Sequence, residues 1–117
     1  MVEDDRSIRY LFTEVLRAAG YDVIACEDGS LGLEMARSRI ETIHAVVTDS
    51  SMPGLDSREM IAQIRAIRPT LPVIVVSGSI DASGAHPFSD ATTVFLGKPL
   101  SPDRLTSELR RLLAQLP

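Results

Sequence analysis

The sequence lacks several features that would assign it to a familiar class of protein. It has one cysteine, Cys26, which excludes an internal disulfide and suits a reducing compartment. It has no run of about 20 apolar residues and no signal peptide, so neither a membrane span nor export is predicted. With a net charge of −4, it also lacks the clustered Lys and Arg that contacts with nucleic-acid phosphates require. We therefore expect a cytoplasmic protein that binds neither membranes nor nucleic acid directly.

The composition fits one globular domain, which we expect to span residues 1–117. Of these residues, 44% are hydrophobic and 24% are charged, as is ordinary for a domain with a single core. Segments typical of strands alternate along the chain with segments typical of helices, and nothing repeats at a fixed period. This alternation predicts an α/β fold with a doubly wound parallel sheet, because right-handed crossovers place helices on both faces.

Five strands are predicted from short runs rich in apolar and β-branched residues. The first run is very short, although a strand usually needs about five residues. The third is a buried run that stops at Asp49, and Met52-Pro53-Gly54 follow it as turn residues. The predicted strands are Met1–Val2, Tyr21–Cys26, Ala45–Val47, Val73–Val76 and Thr92–Leu96.

Four amphipathic helices are predicted from apolar residues at helical spacing and from residues that cap helix ends. Asp5 or Ser7 can cap the first helix, and Gly20 is a natural stop after it. The tract Ser79–Asp90 shows no convincing helical period, so a helix there would be short or irregular. The last helix has a leucine stripe that most simply packs on the sheet, although an exposed part could pair with another chain as a homodimer. The helices are predicted over Ile8–Leu16, Leu31–Ser38, Met60–Ile67 and from Ser101-Pro102 to Leu116.

Side chains that can do chemistry stand at the carboxyl ends of four of the five predicted strands. The carboxyl ends of parallel strands share one edge of a sheet, so we expect these side chains to converge. Crowded carboxylates need a counter-cation, and oxygen ligands favour Mg²⁺. A carboxylate in such a site can accept a phosphoryl group as an aspartyl phosphate, with catalysis mainly by positioning and charge stabilisation. In chain order the side chains are Glu3, Asp4, Asp5, Asp49, Ser77 and Lys98.

Five motifs, in this order and at these intervals, resemble the receiver domain of bacterial two-component response regulators over nearly the whole chain. Each motif is a weak signal by itself, but the set is specific. The resemblance implies the flavodoxin-like receiver fold, with five strands in the order 2-1-3-4-5, and the function of a phosphorylation-controlled signalling switch. The motifs are Val2-Glu3-Asp4-Asp5 with Arg9, Val46–Asp49, Met52–Gly54, Leu71–Gly78 and Phe95–Pro99.

The resemblance implies a phosphoacceptor and a metal site. Asp49 is similar to the family's phosphoacceptor, which receives the phosphoryl group from a histidine kinase. Glu3 and Asp4 match the acidic pair that binds Mg²⁺, with Asp4 a direct ligand and Glu3 acting through water. The backbone carbonyl of Ser51, two residues past Asp49, matches a further metal ligand. Asp5 falls just outside this set.

Three further residues match the family's switch. Ser77 is similar to the hydroxyl that moves toward the phosphoryl group, Phe95 to the aromatic that then turns inward, and Lys98 to the lysine that pairs with the phosphoryl group. The implied result is a change of partners at the surface of the fourth helix, fifth strand and fifth helix. The implied donor is a sensor histidine kinase or a histidine phosphotransfer domain. No enzyme activity is expected beyond the chain's own phosphotransfer and dephosphorylation, although the segment Arg68–Val73 is similar to receivers of hybrid histidine kinases.

Other interpretations of the same residues stay open. Asp49 could only cap a turn, Ser77 could bond to the backbone, and Phe95 could be a permanent part of the core. A second function class, an interaction module that takes no phosphate, stays open because the first strand is short and the tract at 79–90 is irregular, although the intact acidic pair, Asp49 and Lys98 argue against it. A magnesium-dependent phosphohydrolase is less favoured, since Ser51 stands where enzymes of the haloacid dehalogenase type have a second Asp. No Gly-x-Gly-x-x-Gly follows the first strand, which argues against a nucleotide-binding Rossmann module.

Overall fold

The computed structural model describes residues 1–49, 57–77, 93–97 and 101–114. The tract 79–90, for which a short or irregular helix is predicted, lies outside these residues. Helices and strands alternate along the described part of the chain, as the sequence predicts. In chain order the elements are α1 (Arg6–Ala18), α2 (Gly29–Ser38), β1 (Val46–Asp49), α3 (Ser57–Ile67), β2 (Val73–Ser77), β3 (Thr93–Gly97) and α4 (Pro102–Ala114).

The three strands form a parallel sheet in the order β1-β2-β3. Every residue of β1 is buried, as is usual for a strand covered on both faces of a parallel sheet. In register, Asp49 at the end of β1 lies opposite Val76, and Ser77 at the end of β2 lies opposite Gly97. The carboxyl ends of the three strands therefore meet at one edge.

The first two predicted strands are present as single parallel bridges rather than as full strands. Val2 bridges to Cys26 on one side and to Thr48 on the other, and its N–H donates to the carbonyl of Val47 at 2.7 Å. The predicted strand Tyr21–Cys26 is reduced to a bridge at its last residue, because the segment with which it pairs is so short. The lateral order of the five predicted segments is nevertheless the expected one, 2-1-3-4-5.

Capping residues begin the first and last helices, and a glycine follows the first, where the sequence predicts. Of the two candidates for the first cap, Asp5 serves, and its side chain accepts the N–H of Ile8 at 3.0 Å. Gly20 follows α1 with a φ of 100°, a left-handed conformation that glycine adopts without strain. The hydroxyl of Ser101 accepts the N–H of Arg104 at 3.1 Å at the start of α4.

The two middle helices differ from the prediction at their ends. α2 begins at Gly29, two residues before the predicted Leu31, because the side chain of Asp28 caps it by accepting the N–H of Leu31 at 2.8 Å. α3 begins at Ser57, three residues before the predicted Met60. Ile67, predicted on the apolar face of α3, is the last residue of that helix and is 48% exposed.

Side chains of the strands alternate between two apolar clusters, one on each face of the sheet. The cluster on the side of α2 and α3 includes the buried residues Val46, Val73, Val75, Leu33, Ala36, Met60, Ile61 and Ile64. The cluster on the side of α1 and α4 includes the buried residues Val47, Ile74, Val76, Leu16, Leu105, Leu109 and Leu112. The sheet is thus covered on both faces, as a doubly wound fold requires. In the described ranges, no helix has both the length and the apolar character needed to cross a membrane.

Candidate functional site

Backbone hydrogen bonds place the acidic turn, residues Glu3–Asp5 after the short first strand, beside the end of β1. The N–H of Asp49 donates to the carbonyl of Val2, and the N–H of Glu3 donates to the carbonyl of Cys26, each at 3.0 Å. Parallel pairing therefore brings the residues that follow Val2 to the same edge of the sheet as Asp49. This is the edge at which the sequence predicts the chemistry.

Three carboxylates meet at this edge: those of Glu3, Asp4 and Asp49. One oxygen atom from each lies within 4.8 Å of the oxygens from the other two. Glu3 and Asp49 are buried, with 6% and 4% of their surface exposed, whereas Asp4 is exposed. Negative charges at this separation repel one another, and more strongly where water is excluded. The arrangement is one that a bound cation would stabilise.

The donor set fits Mg²⁺ in its chemistry. This ion prefers oxygen ligands and usually takes one or two carboxylates, several waters and phosphoryl oxygens. Exposure of Asp4 keeps the cluster open to solvent on one side, so water and phosphoryl oxygens can reach it. Of the four predicted ligands, Glu3, Asp4 and Asp49 are brought together, while Ser51 lies outside the described residues.

Hydrogen bonds within the acidic turn and from α1 hold it in place. An oxygen of the Glu3 carboxylate accepts the N–H of Asp5 at 3.0 Å, so the Glu3 side chain folds back over the turn. Nη1 of Arg9 donates to the carbonyl of Glu3 at 2.8 Å and, at the longer distance of 3.4 Å, to that of Asp4. Asp5 caps α1 through the N–H of Ile8, which agrees with its expected place outside the metal-binding pair.

Arg9 belongs to the first motif of the sequence, yet the sequence reasoning predicts no role for it. One signal could have pointed to it. Arg9 stands in the first turn of a helix, where the helix dipole disfavours a cation. A basic residue at such a position calls for acceptors close by, and here they are the backbone carbonyls of the acidic turn.

A mostly apolar cleft of about 510 Å³ borders the carboxylate cluster. Glu3, Asp49 and the buried Thr48 line one part of it, and its apolar wall includes Phe12 and Leu105. The hydroxyl of Thr48 donates to the carbonyl of Asp49 at 3.0 Å, which helps to hold the end of β1. Apolar walls lower the local dielectric constant, so charges in the cluster interact more strongly than they would in bulk water.

The register of the sheet places the backbone of the predicted switch residues. Ser77 ends β2 one residue past the register partner of Asp49, and Phe95 lies in the middle of β3. Lys98, which comes next after the end of β3, lies outside the described residues, as do the side chains of Ser77 and Phe95. The backbone of Ser77 therefore reaches the edge that carries Asp49, and the three switch roles stay predictions.

The chain is similar over most of its length to a known family and to several curated proteins. The family described as the response regulator receiver domain matches residues 1–110. The C4-dicarboxylate transport transcriptional regulatory protein DctD of Rhizobium meliloti (strain 1021) is 31% identical over 112 residues, which are 95% of this chain and 24% of DctD. Response regulator MprA of Mycobacterium leprae (strain TN) is 35% identical over 114 residues, which are 96% of this chain and 49% of MprA. The chain therefore spans about a quarter to a half of the length of these relatives.

Solved structures agree with this match. A response regulator receiver domain protein from Clostridium thermocellum superposes with a TM-score of 0.88 at 23% identity, over 97% of this chain and 91% of that one. The receiver domain of the hybrid histidine kinase CckA superposes with a TM-score of 0.81 at 30% identity, over 96% of this chain and 94% of that one. The predicted flavodoxin-like fold is confirmed.

Proposed function

Since the chain belongs to the family of response regulator receiver domains, it is a phosphorylation-controlled signalling switch of the two-component type, and we propose that Asp49 is its phosphoacceptor. The observation that carries this assignment is the meeting of three carboxylates within 4.8 Å, with Asp49 as one member. Asp49 also stands at the carboxyl end of a buried strand, where open α/β sheets place their chemistry. The proposal treats residues 1–117 as one receiver domain.

In this proposal Glu3, Asp4 and Asp49 hold a Mg²⁺ ion, and the backbone carbonyl of Ser51 is a further ligand. Receiver domains generally bind Mg²⁺ in an acidic pocket, and the carboxylate cluster supplies such a pocket. When bound, the ion offsets the negative charge of the carboxylates and of the incoming phosphoryl oxygens. One oxygen of the Glu3 carboxylate accepts the N–H of Asp5, and we assign Glu3 an indirect role, through water, and Asp4 a direct one.

The proposed reaction is transfer of a phosphoryl group from a phosphohistidine to Asp49. A carboxylate oxygen of Asp49 forms the new P–O bond while the P–N bond to the imidazole breaks, and the electron pair of that bond returns to the ring nitrogen. The family acts as a switch rather than as a catalyst for other molecules, so we limit the chemistry of this chain to gain and loss of this one group.

The proposed response to phosphorylation involves the three predicted switch residues. Lys98 pairs with the phosphoryl group as a point charge, and the hydroxyl of Ser77 moves toward its oxygens. Phe95 then turns inward and changes the partner-binding surface. The backbone positions of Ser77 and Phe95 in β2 and β3 support this proposal, because both strands run toward the edge that carries Asp49.

We propose a sensor histidine kinase or a histidine phosphotransfer domain as the phosphoryl donor, and the cytoplasm as the place of the reaction. DctD is named a transcriptional regulatory protein and CckA a hybrid histidine kinase. We infer that this chain serves a signalling protein of this general kind as the part that receives phosphate, with no direct contact with nucleic acid or membrane. Pairing of two copies is a further part of the proposal, although Leu105, Leu109 and Leu112 of α4 are buried in the core of this chain.

Intact-mass analysis tests the assignment of Asp49. The protein is incubated with Mg²⁺ and acetyl phosphate beside its Asp49→Asn variant. We expect the wild type to gain the mass of one phosphoryl group, and we expect no gain in the variant or without Mg²⁺. A folded wild type that gains nothing would instead favour the interaction module that takes no phosphate, while a labelled variant would mean that another residue is the acceptor.

A further inference from the structure

We propose that Arg9 is a positioning residue, which holds the acidic turn in the shape that binds the cation. The inference rests on the metal site of the proposed function and adds a residue to it. Nη1 of Arg9 donates to the carbonyls of Glu3 and Asp4, the two residues whose side chains are the proposed ligands. Arg9 acts on the ion only through the backbone of the turn.

The contact joins the acidic turn to the first turn of α1. The backbone N–H of Arg9 donates to the carbonyl of Asp5 at 2.8 Å, and its guanidinium reaches back to the carbonyl of Glu3 at the same distance. Side chains in a helix point toward its N-terminus, so the sixth residue after Glu3 can reach that far. The residues between the two carbonyls are thereby fixed at both ends.

Asp4 is the ligand that most needs such support. It lies in a bend between the bridge at Val2 and the start of α1, and it is exposed. Glu3 is buried, and its carboxylate is engaged by the N–H of Asp5. Repulsion among three carboxylates within 4.8 Å acts to open this bend, and Nη1 of Arg9 opposes that opening by donating to both carbonyls.

The position of Arg9 is unfavourable for the helix alone. A cation in the first turn of a helix is disfavoured by the helix dipole, although the carboxylate of the N-cap Asp5 lies at the same end of α1. Arg9 is partly buried, so its guanidinium also gives up part of its hydration. The bonds to the carbonyls of Glu3 and Asp4 compensate for both costs, which ties the function of this side chain to the acidic turn.

A charge effect and a positioning effect of Arg9 would change the affinity for Mg²⁺ in opposite directions. If Arg9 acted only as a positive charge near the site, its removal would strengthen Mg²⁺ binding, because a cation repels a cation. If Arg9 holds the turn, its removal weakens Mg²⁺ binding. Loss of a residue that orients metal ligands typically lowers affinity by roughly 10- to 100-fold. Since only one of the two carbonyl contacts is short, we expect about the lower end of that range.

The test is a Mg²⁺ titration of the protein, followed through its backbone amide NMR signals, for the wild type and three variants. Arg9→Gln removes the charge and shortens the side chain, Arg9→Lys keeps the charge and one donor nitrogen, and Arg6→Gln removes an exposed charge from the same turn of α1 as a matched control. We expect about tenfold weaker Mg²⁺ binding in Arg9→Gln, partial recovery in Arg9→Lys, and no weakening in Arg6→Gln. Spectra without Mg²⁺ show which variants are folded.

Two failures can be told apart in this experiment. If the wild type does not bind Mg²⁺, the proposed metal site is refuted, and the proposed role of Arg9 is refuted with it. If the wild type binds Mg²⁺ and Arg9→Gln binds it as tightly or more tightly, the metal site stands and the positioning role of Arg9 is refuted. If Arg9→Gln does not fold, Arg9→Met, which lacks the charge and the donors but keeps an unbranched side chain, takes its place, and an affinity equal to or tighter than that of the wild type then overturns the proposal.

Discussion

Gly32 in α2 lies so close to Val2 that a Cβ atom at position 32 would come within 2.7 Å of Cγ2 of Val2. Sδ of Met60 in α3 would lie 3.2 Å from the same atom. Val2 is 4% exposed and is the residue that bridges to both of its neighbours in the sheet. The absence of a side chain on Gly32 therefore lets α2 pack directly on the short central segment beside the carboxylate cluster.

Gly32→Ala is expected to destabilise the protein by about 1 kcal/mol. The added methyl group overpacks the contact with Val2, which typically costs about 1–3 kcal/mol, whereas alanine in a helix interior contributes about 1 kcal/mol over glycine. Urea unfolding followed by circular dichroism measures the difference. The double variant with Val2→Ala should show a favourable coupling between the two positions, because the smaller side chain makes room. Equal stability of Gly32→Ala and the wild type would mean that Val2 moves aside at little cost.

Much of the frame of this site could be predicted from sequence, because it depends on local signals. The β-branched run before Asp49 favours a strand by its own composition. Asp5 and Ser101 cap their helices by accepting N–H groups three residues further along the chain. The extent of the pairing at Tyr21–Cys26 could not be predicted, since it depends on the length of a distant partner segment. The contact of Arg9 with the acidic turn also could not be predicted, because a sequence motif specifies the spacing of residues but not where a side chain points.

Asp4→Asn is expected to weaken Mg²⁺ binding, whereas Asp5→Asn is not. Asp4 is a member of the carboxylate cluster, while Asp5 caps α1, and asparagine caps a helix as well as aspartate does. The two variants lose the same charge at adjacent positions. Ligand binding stabilises a protein by about 2.7 kcal/mol at a concentration 100 times the dissociation constant, so Mg²⁺ should raise the melting temperature of the wild type and of Asp5→Asn.

Thermal unfolding with and without Mg²⁺ makes this comparison, and NaCl at the same ionic strength controls for general charge screening. We expect Asp4→Asn to lose most of the Mg²⁺-dependent rise in melting temperature. An equal loss in both variants would point to general charge attraction rather than to a site built from Glu3, Asp4 and Asp49.

Phosphorylation of Asp49 is expected to protect Lys98 from amine-reactive reagents. Lys98 is the only lysine in the sequence, so its modification can be followed without interference from other lysines. A charge-assisted hydrogen bond contributes about 1.5–3 kcal/mol, which corresponds to a modification rate lowered roughly tenfold or more. Phosphoramidate is the suitable donor, because it carries no acyl group that could modify the lysine.

Peptide mapping by mass spectrometry measures the modification of Lys98 over time. Asp49→Asn, treated in the same way with phosphoramidate and Mg²⁺, is the control that cannot take the phosphoryl group in the proposed manner. Equal modification rates for phosphorylated and unphosphorylated wild type would show that Lys98 does not pair with the phosphoryl group.

The thiol of Cys26 is expected to make the folded state less stable as the pH rises into the alkaline range. Cys26 is 4% exposed, and burial raises the pKa of its thiol above the usual value. The unfolded chain therefore loses the thiol proton near the ordinary pKa of about 8.5, while the folded chain still retains it. Below that pH the contribution of the thiol is fully present, and it is lost as the pH rises toward the folded-state pKa.

Unfolding free energies of the wild type and of Cys26→Ala, measured by urea denaturation between about pH 7 and pH 10, isolate this contribution. Cys26→Ala leaves a small cavity whose cost does not change with pH, and both proteins share the same tyrosines and Lys98. The difference between the two curves therefore reports the thiol together with its electrostatic coupling to the N-terminal ammonium of Met1. We expect the advantage of the wild type to shrink as the pH rises. Parallel curves would show that the thiol ionises equally in both states, and that the contact between Cys26 and the bridged segment at Val2 admits solvent.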